Sequence, residues 1–376
     1  MAGEAQPGHA GLRPPRILIL SASIGAGHDL PAEVMAAELR ERVPGAGVTI
    51  EDALDHAGPA LRALVGSGSA FYSTAGNVLF DLEHRLLMQR ARPRRAISAI
   101  AHRLAARRIG AFLAQARPDV IVSTWPGATE ILGRMRLDGT LAVPVVSAIT
   151  DLASLWWWAH PGVDLHLITH PESAEEVRAI AGPDTAVVPA RGMNDPRWAE
   201  PMNGDQARRA LGLPAGRLVV VSGGGWGVGD LDGAVDEALA QEAHVVVLCG
   251  SNEDVHARLA ARGDVDAWGF TDRMPELFAA ADALIHSTAG LTMLEALMRG
   301  LPAISYGWGR GHIRLNNEAY VRFGLAAVAL DRAQLRAELA RALAHRPEPD
   351  LSFAALPTAA EVVLDRFGGD DLLDAA

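Results

Sequence analysis

A histidine at position 28 follows closely on the apolar stretch RILIL, within the run SASIGAGHD. Imidazole titrates near neutral pH and can take the proton of a hydroxyl nucleophile. Gly25 and Gly27 let the backbone turn sharply and approach a ligand closely before His28. The plain alternative is a histidine that caps a local carbonyl. Further along, VVVSGGGWGVGD sets Gly224, Gly225 and Trp226 directly after an apolar run. Their amides can approach a diphosphate, or the loop is simply a tight turn. HSTAGLTMLE places Ser287, Thr288, Ala289, Gly290, Leu291 and Thr292 at the start of a helix, where free amides and the dipole favour an anion. Glu295 lies further into that helix. A carboxylate there can accept hydrogen bonds from both ribose hydroxyls of a nucleotide. GWGRGHIRLNNEAY adds Arg310, Gly311, His312, Arg314, Asn316 and Asn317, a dense set of groups for sugar hydroxyls or phosphate.

Several chemistries are excluded. The third glycine of the dinucleotide fingerprint is replaced by Leu30. No Lys-Ser/Thr pair follows the second glycine loop, so it is not a triphosphate loop. All 34 basic residues are arginine, which removes Schiff-base and phosphate-loop lysine chemistry. Cys249 is the single cysteine, so a disulfide framework and a multi-cysteine zinc site are excluded. A reducing cytoplasm is the expected compartment. The N-terminus does not read as a secretory signal, and no apolar run approaches the roughly 20 residues that span a bilayer. The net charge of −11 argues against nucleic-acid binding. Yet nine arginines and no acidic residue lie between His84 and Pro118. That segment, 85–117, reads either as a solvated helix face or as a basic patch for anionic lipid or a phosphorylated acceptor.

Positioning these residues requires alternating strands and helices. RILILSAS, VTIEDAL, PDVIVSTW, VPVVSAIT and DLHLITH read as strands of a first α/β unit, with LPAEVMAAELRERV and AISAIAHRLAARRIGAFLAQA as helices. In the second helix Ile97, Ile100, Leu104 and Leu113 recur near the helical period. RLVVVSGGG, HVVVLCGS, ADALIHST and LPAISYG restart the pattern after a proline-rich break. The expected division is a tail at 1–15, an acceptor-binding Rossmann-like domain at 16–190 and a linker at 191–205. A nucleotide-sugar domain at 206–350 and a C-terminal helix within 351–376 that crosses back complete it. Residues 56–92 fit the alternation poorly and read as an insertion of functional kind or as ordinary packed helices. Trp156, Trp157 and Trp158 read as core packing, a sugar platform or a lipid-interface group.

At this point the sequence resembles the GT-B glycosyltransferases that include monogalactosyldiacylglycerol synthase and the processive diacylglycerol glucosyltransferase. The peptidoglycan enzyme that transfers N-acetylglucosamine to lipid I is a more distant likeness. The matching pieces are ASIGAGH, ITDLASLWWWAHPGVDLHLIT, WGFTDRMPELFAAAD, GLTMLEALMRGLPAI and GRGHIRLNN, in that order over about residues 16–345. The resemblance implies an α/β fold of two Rossmann-like domains facing a cleft. It also implies an inverting, metal-independent transfer from a UDP-sugar co-substrate, with no cofactor. It makes His28 the candidate base and Glu295 the ribose carboxylate. Phe270, Thr271 and Met274 would frame uracil, largely through backbone, and Asn316 would lie near the donor sugar. Gly25, Gly27, Asp151 and Trp158 would fall on the acceptor side.

The departures are His312 where the family has glutamine, Ser287 where it has lysine or arginine, and Leu155 where it has histidine. Arg310 or Arg314 is then the expected source of charge near the diphosphate. The acceptor implied is a lipid or other hydrophobic molecule, with peripheral contact on the inner face of the membrane. Rival readings are a nucleotide-sugar epimerase, a transferase for a soluble natural product and a non-catalytic binding protein.

Overall fold

The computed structural model describes residues 14–23, 26–63, 65, 84–307, 309–350 and 352–368. Its strands form two parallel six-stranded sheets. The first holds β1 (Arg16–Ser21), β2 (Gly47–Asp52), β3 (Val120–Ser123), β4 (Val145–Ile149), β5 (Leu165–Ile168) and β6 (Val187–Pro189), in the order β2-β1-β3-β4-β5-β6. The second holds β7 (Leu218–Ser222), β8 (His244–Leu248), β9 (Asp266–Trp268), β10 (Ala283–His286), β11 (Ala303–Tyr306) and β12 (Ala327–Ala329), in the order β12-β11-β10-β7-β8-β9.

Both central strands are apolar on both sides, which is why helices cover both faces of each sheet. Along β1, Ile17 and Ile19 enter one core while Leu18 and Leu20 enter the other. Along β7, Leu218 and Val220 face one layer, Val219 and Val221 the opposite one. Each such side chain contributes roughly 1.5–3 kcal/mol by leaving water.

The chain leaves the first sheet after β6 and comes back at its C-terminal end. The Arg191 amide donates to the Pro357 carbonyl at 3.0 Å, and the Ala359 amide donates to Arg191 at 2.8 Å. The outgoing linker and the returning segment therefore run side by side. The helix Ala359–Phe367 starts with a capping box made by Thr358 and Glu361. It buries Ala359, Ala360, Val363 and Leu364 with Met35, Ala36 and Leu39 of the helix Ala26–Arg42. Arg42 also reaches Glu361 at 2.6 Å. The expected return of the C-terminal helix to the first half is what the fold has.

Some details differ from the sequence reading. The first helix begins at Ala26 and carries Pro31 within it. β6, β9 and β12, of three residues each, have too little pattern to be seen in advance. In the helix Ala91–Ala116 the buried residues are Ser98, Ala105, Ile109 and Leu113, while Ile100 and Leu104 are 54% and 44% exposed. Small residues line the face that meets the helix Pro126–Leu137, where Gly110 lies against Met135. Ile100 and Leu104 are thereby turned outward. Of the irregular segment 56–92, the described parts include the end of the short helix Ala53–Ala57 and one π-helical turn, His84–Met88. The reading of residues 64 and 66–83 lies outside the described residues.

Candidate active site

In open parallel sheets, ligands settle beyond the carboxyl ends of the strands where the order reverses. The first sheet reverses between β1 and β3. His28, in the first turn of the helix after β1, bridges that reversal. Its Nδ1 lies 2.9 Å from the carbonyl oxygen of Thr124, just beyond β3. A carbonyl only accepts, so Nδ1 carries the hydrogen and Nε2 keeps its lone pair. Burial lowers the pKa of His28, opposed by Asp151, the Thr124 carbonyl and Asp29, and aided by His312. The ring centroid is 5.8 Å from that of Trp158. Trp158 is buried and donates its indole N–H to Asp151 at 3.0 Å. Asp29 accepts from Ser21 at 2.5 Å.

The second sheet reverses between β7 and β10. Here glycines and amides occupy the corresponding place. Gly224 has a φ of +66°, and a Cβ there would stand 3.0 Å from the Thr288 hydroxyl, so the two loops touch across the reversal. The turn Gly224–Trp226 is held from outside. Ser251 donates twice to the Gly225 carbonyl, at 2.9 Å each, and Asn252 donates to Trp226 at 3.1 Å. Trp226 itself is 39% exposed. The helix Leu291–Met298 starts at Gly290, whose φ of 85° and ψ of −149° fall in a region essentially reserved for glycine. No side chain caps this helix start, which leaves its amides for a ligand. The helix His312–Phe323 follows β11, the neighbour of β10, and starts uncapped at Gly311 with φ 58°.

The two halves meet over these ends. Asn316 is fully buried. Its Oδ1 accepts from the amides of Leu152 and Ala153 at 3.1 Å each, and its Nδ2 donates to His312 at 3.0 Å and Ala153 at 3.4 Å. Leu152 and Ala153, although from the first half, are buried in a core of the second. Asp151 Oδ1 consequently lies 4.0 Å from the Cβ position of Gly290. The structure thus places His28 beside Trp158 and Asp151, with Asp151 next to Gly290 and His312 close enough to act electrostatically on His28.

Glu295 is buried, 6% exposed, and faces the linker. Burial, followed by Asp195, pushes its pKa up to about 8, while hydrogen bonds from Asn194 and Trp198 pull the other way. Phe270 is 73% exposed. Thr271 Oγ1 accepts from the Arg273 amide at 3.1 Å, and Met274 opens the helix Met274–Ala280. Ala289 and Thr292 are half-buried and Leu291 is buried, whereas Gly27 and His312 are exposed. Gly25 lies outside the described residues. Arg314 pairs with Glu318 at 2.6 Å. Arg310 is half-buried, and no described acidic residue pairs with it.

Two residues expected on the donor side are engaged within the protein. The side-chain amide of Asn316 has all its hydrogen-bonding positions filled by backbone, so it ties the halves together and presents no free group to a donor sugar. The Ser287 hydroxyl donates to the Val228 carbonyl at 2.5 Å and is likewise occupied. Thr124, Asn194 and Trp198 were not among the sequence candidates. A buried Trp beside an Asn in a proline-rich break was the only available signal for the last two. Among the described residues no cluster of His, Cys, Asp or Glu could hold a metal ion, and no helix is long and apolar enough to cross a membrane.

Comparison with known proteins agrees with this architecture. The family model described as monogalactosyldiacylglycerol (MGDG) synthase matches residues 28–193. The glycosyltransferase family 28 C-terminal domain matches residues 218–362. The processive diacylglycerol beta-glucosyltransferase of Bacillus subtilis (strain 168) is 25% identical over 276 residues, covering 69% of this chain and 71% of that one. Monogalactosyldiacylglycerol synthase 1, chloroplastic, of Arabidopsis thaliana is 28% identical over 340 residues, covering 82% of this chain; the chain spans only 61% of that relative's length. The crystal structure of Acinetobacter baumannii MurG shares the fold, with a TM-score of 0.56 at 16% identity over 94% of this chain and 99% of that one. The region matched by the synthase model, which carries the imidazole, thus precedes a family 28 C-terminal domain, which carries the glycine-started helix, and the chain is a glycosyltransferase with the GT-B fold.

Proposed function

We propose that this glycosyltransferase moves a hexose from a UDP-linked donor to a hydroxyl group of a lipid acceptor, inverting the anomeric carbon without a metal ion. One juxtaposition supports the reading most. The His28 ring, with its Nε2 lone pair, lies beside Trp158, whose partner Asp151 stands 4.0 Å from the Cβ position of Gly290 at the uncapped helix start. The acceptor oxygen bonds to the anomeric carbon as its proton passes to Nε2. The bond from that carbon to the diphosphate oxygen breaks on the opposite side, and UDP leaves. Asp151 and Asp29 favour the imidazolium that forms. Amides at Gly290 and in the Gly224 turn, with Arg310, receive the charge that develops on the leaving group.

The lipid part rests on the two relatives, both named for diacylglycerol lipids, and on one surface. Leu86, Leu87, Ile100 and Leu104 are exposed among Arg92, Arg95, Arg103 and Arg107. Arg94 stacks over Trp156 at 4.7 Å, linking that surface to the loop that carries Asp151. Such a mixture suits the anionic inner face of a membrane, at about 1 kcal/mol per basic residue near it.

The test is a panel of UDP-hexoses with a cell lipid extract, with and without EDTA, reading UDP release and product mass. A glycolipid product formed equally in EDTA supports the proposal. Donor conversion without any acceptor would mean an epimerase, and UDP binding without release a binding protein. Changing Arg92, Arg95 and Arg103 together to Gln should abolish binding to anionic vesicles. Unchanged vesicle binding would turn the acceptor reading toward a soluble molecule.

A further inference from the structure

We infer that Asn194 and Trp198, in the linker between the halves, are positioning residues that set the enzyme's preference for a donor ribose with both hydroxyls, acting through Glu295. The inference rests on the reading of Glu295 as the ribose-binding carboxylate.

Glu295 lies in the helix that begins at Gly290, a little over one turn beyond the cradle. The linker packs on the same face of that helix: Met298 and Arg299, three and four residues beyond Glu295, meet Asn194 and Trp198, and both of these side chains act on the carboxyl as donors that oppose the effect of burial. The indole N–H can only donate, so this partner cannot reverse its role. A carboxylate offers about four lone-pair positions. Donors on the linker side leave the opposite lone pairs of the ionised form for a pair of neighbouring hydroxyls. The linker donors therefore fix how the carboxyl is turned.

Both donors are held in turn. The Trp198 ring meets Phe278 edge-on, with centroids 5.4 Å apart, and the Arg299 guanidinium lies over it at 5.4 Å. Arg299 is fixed by the carbonyls of Arg197, at 2.6 Å, and Glu200. Asn194 Nδ2 also approaches the Met298 sulfur at 3.6 Å, within the helix of Glu295. The same linker reaches the loop expected to frame the base. Arg197 donates to the Asp272 carbonyl at 2.6 Å and lies 3.6 Å from Glu276. One short segment, Asn194–Glu200, thus joins the two halves and braces both edges of the nucleotide site. A purely structural linker has no need to spend its only indole N–H on a helix carboxyl beside the anion cradle.

The test compares binding of UDP and 2′,3′-dideoxy-UDP to the full chain by calorimetry, in wild type, Glu295→Gln, Asn194→Ala and Trp198→Phe. Wild type should prefer UDP at least tenfold, and Glu295→Gln should lose most of that preference. Asn194→Ala and Trp198→Phe should each reduce it at least threefold, with dideoxy-UDP affinity unchanged within twofold. Trp198→Phe keeps the ring packing and Asn194→Ala removes only a small amide, so the result does not hang on one variant folding. If wild type and Glu295→Gln behave as stated but both linker variants keep the full preference, the inference falls alone. If wild type shows no preference, the reading of Glu295 falls and takes the inference with it.

Discussion

In the proposed reaction the two halves use the same place in the same kind of sheet for opposite chemistry. At the β1/β3 reversal the first half presents a titratable side chain, His28, anchored on the Thr124 carbonyl. At the β7/β10 reversal the second half presents backbone, with glycines at 224 and 290 in conformations that side chains rarely adopt. A proton acceptor has to be one defined atom, so a single side chain suffices. A diphosphate spreads charge over many oxygens, and amides at a helix start match it without a counter-charge to desolvate. If the proposed reaction holds, identity at one position matters in the first half, whereas in the second half backbone shape matters more than side-chain identity.

The strongest way to break this contrast is to remove the imidazole. His28→Ala should lower kcat by about 10²–10⁴-fold, the usual contribution of a general base. Donor affinity should stay near wild type, and stability should fall by no more than about 0.5–1.5 kcal/mol with the loss of the ring's one hydrogen bond, to the Thr124 carbonyl. Turnover within about threefold of wild type would remove His28 from the chemistry.

The next effect belongs to the cradle. Gly290→Ala places a Cβ in a region essentially reserved for glycine, at a cost of about 1–3 kcal/mol. The helix start should shift, and donor KM should rise at least fivefold with a smaller change in kcat. A KM within twofold of wild type would show that this backbone is not what holds the donor.

The pH profile sharpens the comparison because the two halves titrate in opposite directions. Burial lowers His28, so it stays neutral and able to accept a proton above about pH 6.5. Burial raises Glu295 to about 8, so its carboxyl is largely protonated at neutral pH in the empty enzyme. A group raised in the folded state contributes stability below its unfolded value of about 4.5, and that contribution is lost as pH rises through about 8. On the proposed role of Glu295, the ionised form is the one that accepts both ribose hydroxyls. Donor KM should therefore fall several-fold between pH 6.5 and 8.5 while kcat stays level, and Glu295→Gln should flatten the KM curve. A level KM in wild type would separate Glu295 from donor binding.

The alternation of strands and helices was readable because buried parallel strands are continuous apolar runs, as in RILIL and RLVVV. The positions after them were readable because glycine and small residues there have few other uses. What escaped was set by tertiary contact. Asn316 looks like a free donor beside Asn317 and His312, yet the Leu152–Ala153 backbone of the other half claims it. Ile100 and Leu104 fit the helical period but face outward, because Ser98 and Ala105 allow the closer approach on the inner side. Trp198 and Asn194 sit in a stretch whose prolines mark a break in pattern, and no local rule gives such a stretch a role in a distant helix.

Ser287 supplies the smallest and most discriminating test. It stands where related sequences are expected to carry a basic side chain near the diphosphate, so its identity ought to matter if side chains hold the donor. Its hydroxyl instead donates to the Val228 carbonyl and fastens the β10 loop to the glycine-rich loop, where Gly229 has no room for a Cβ against Ser287. Ser287→Ala removes one buried hydrogen bond and leaves one carbonyl unsatisfied, a loss of about 0.5–1.5 kcal/mol of stability. The backbone of the cradle is kept, so donor KM should change by less than about threefold and kcat not at all. A tenfold rise in KM with an unchanged melting temperature would put the hydroxyl on the diphosphate, and the second half would then depend on side-chain identity much as the first does on His28.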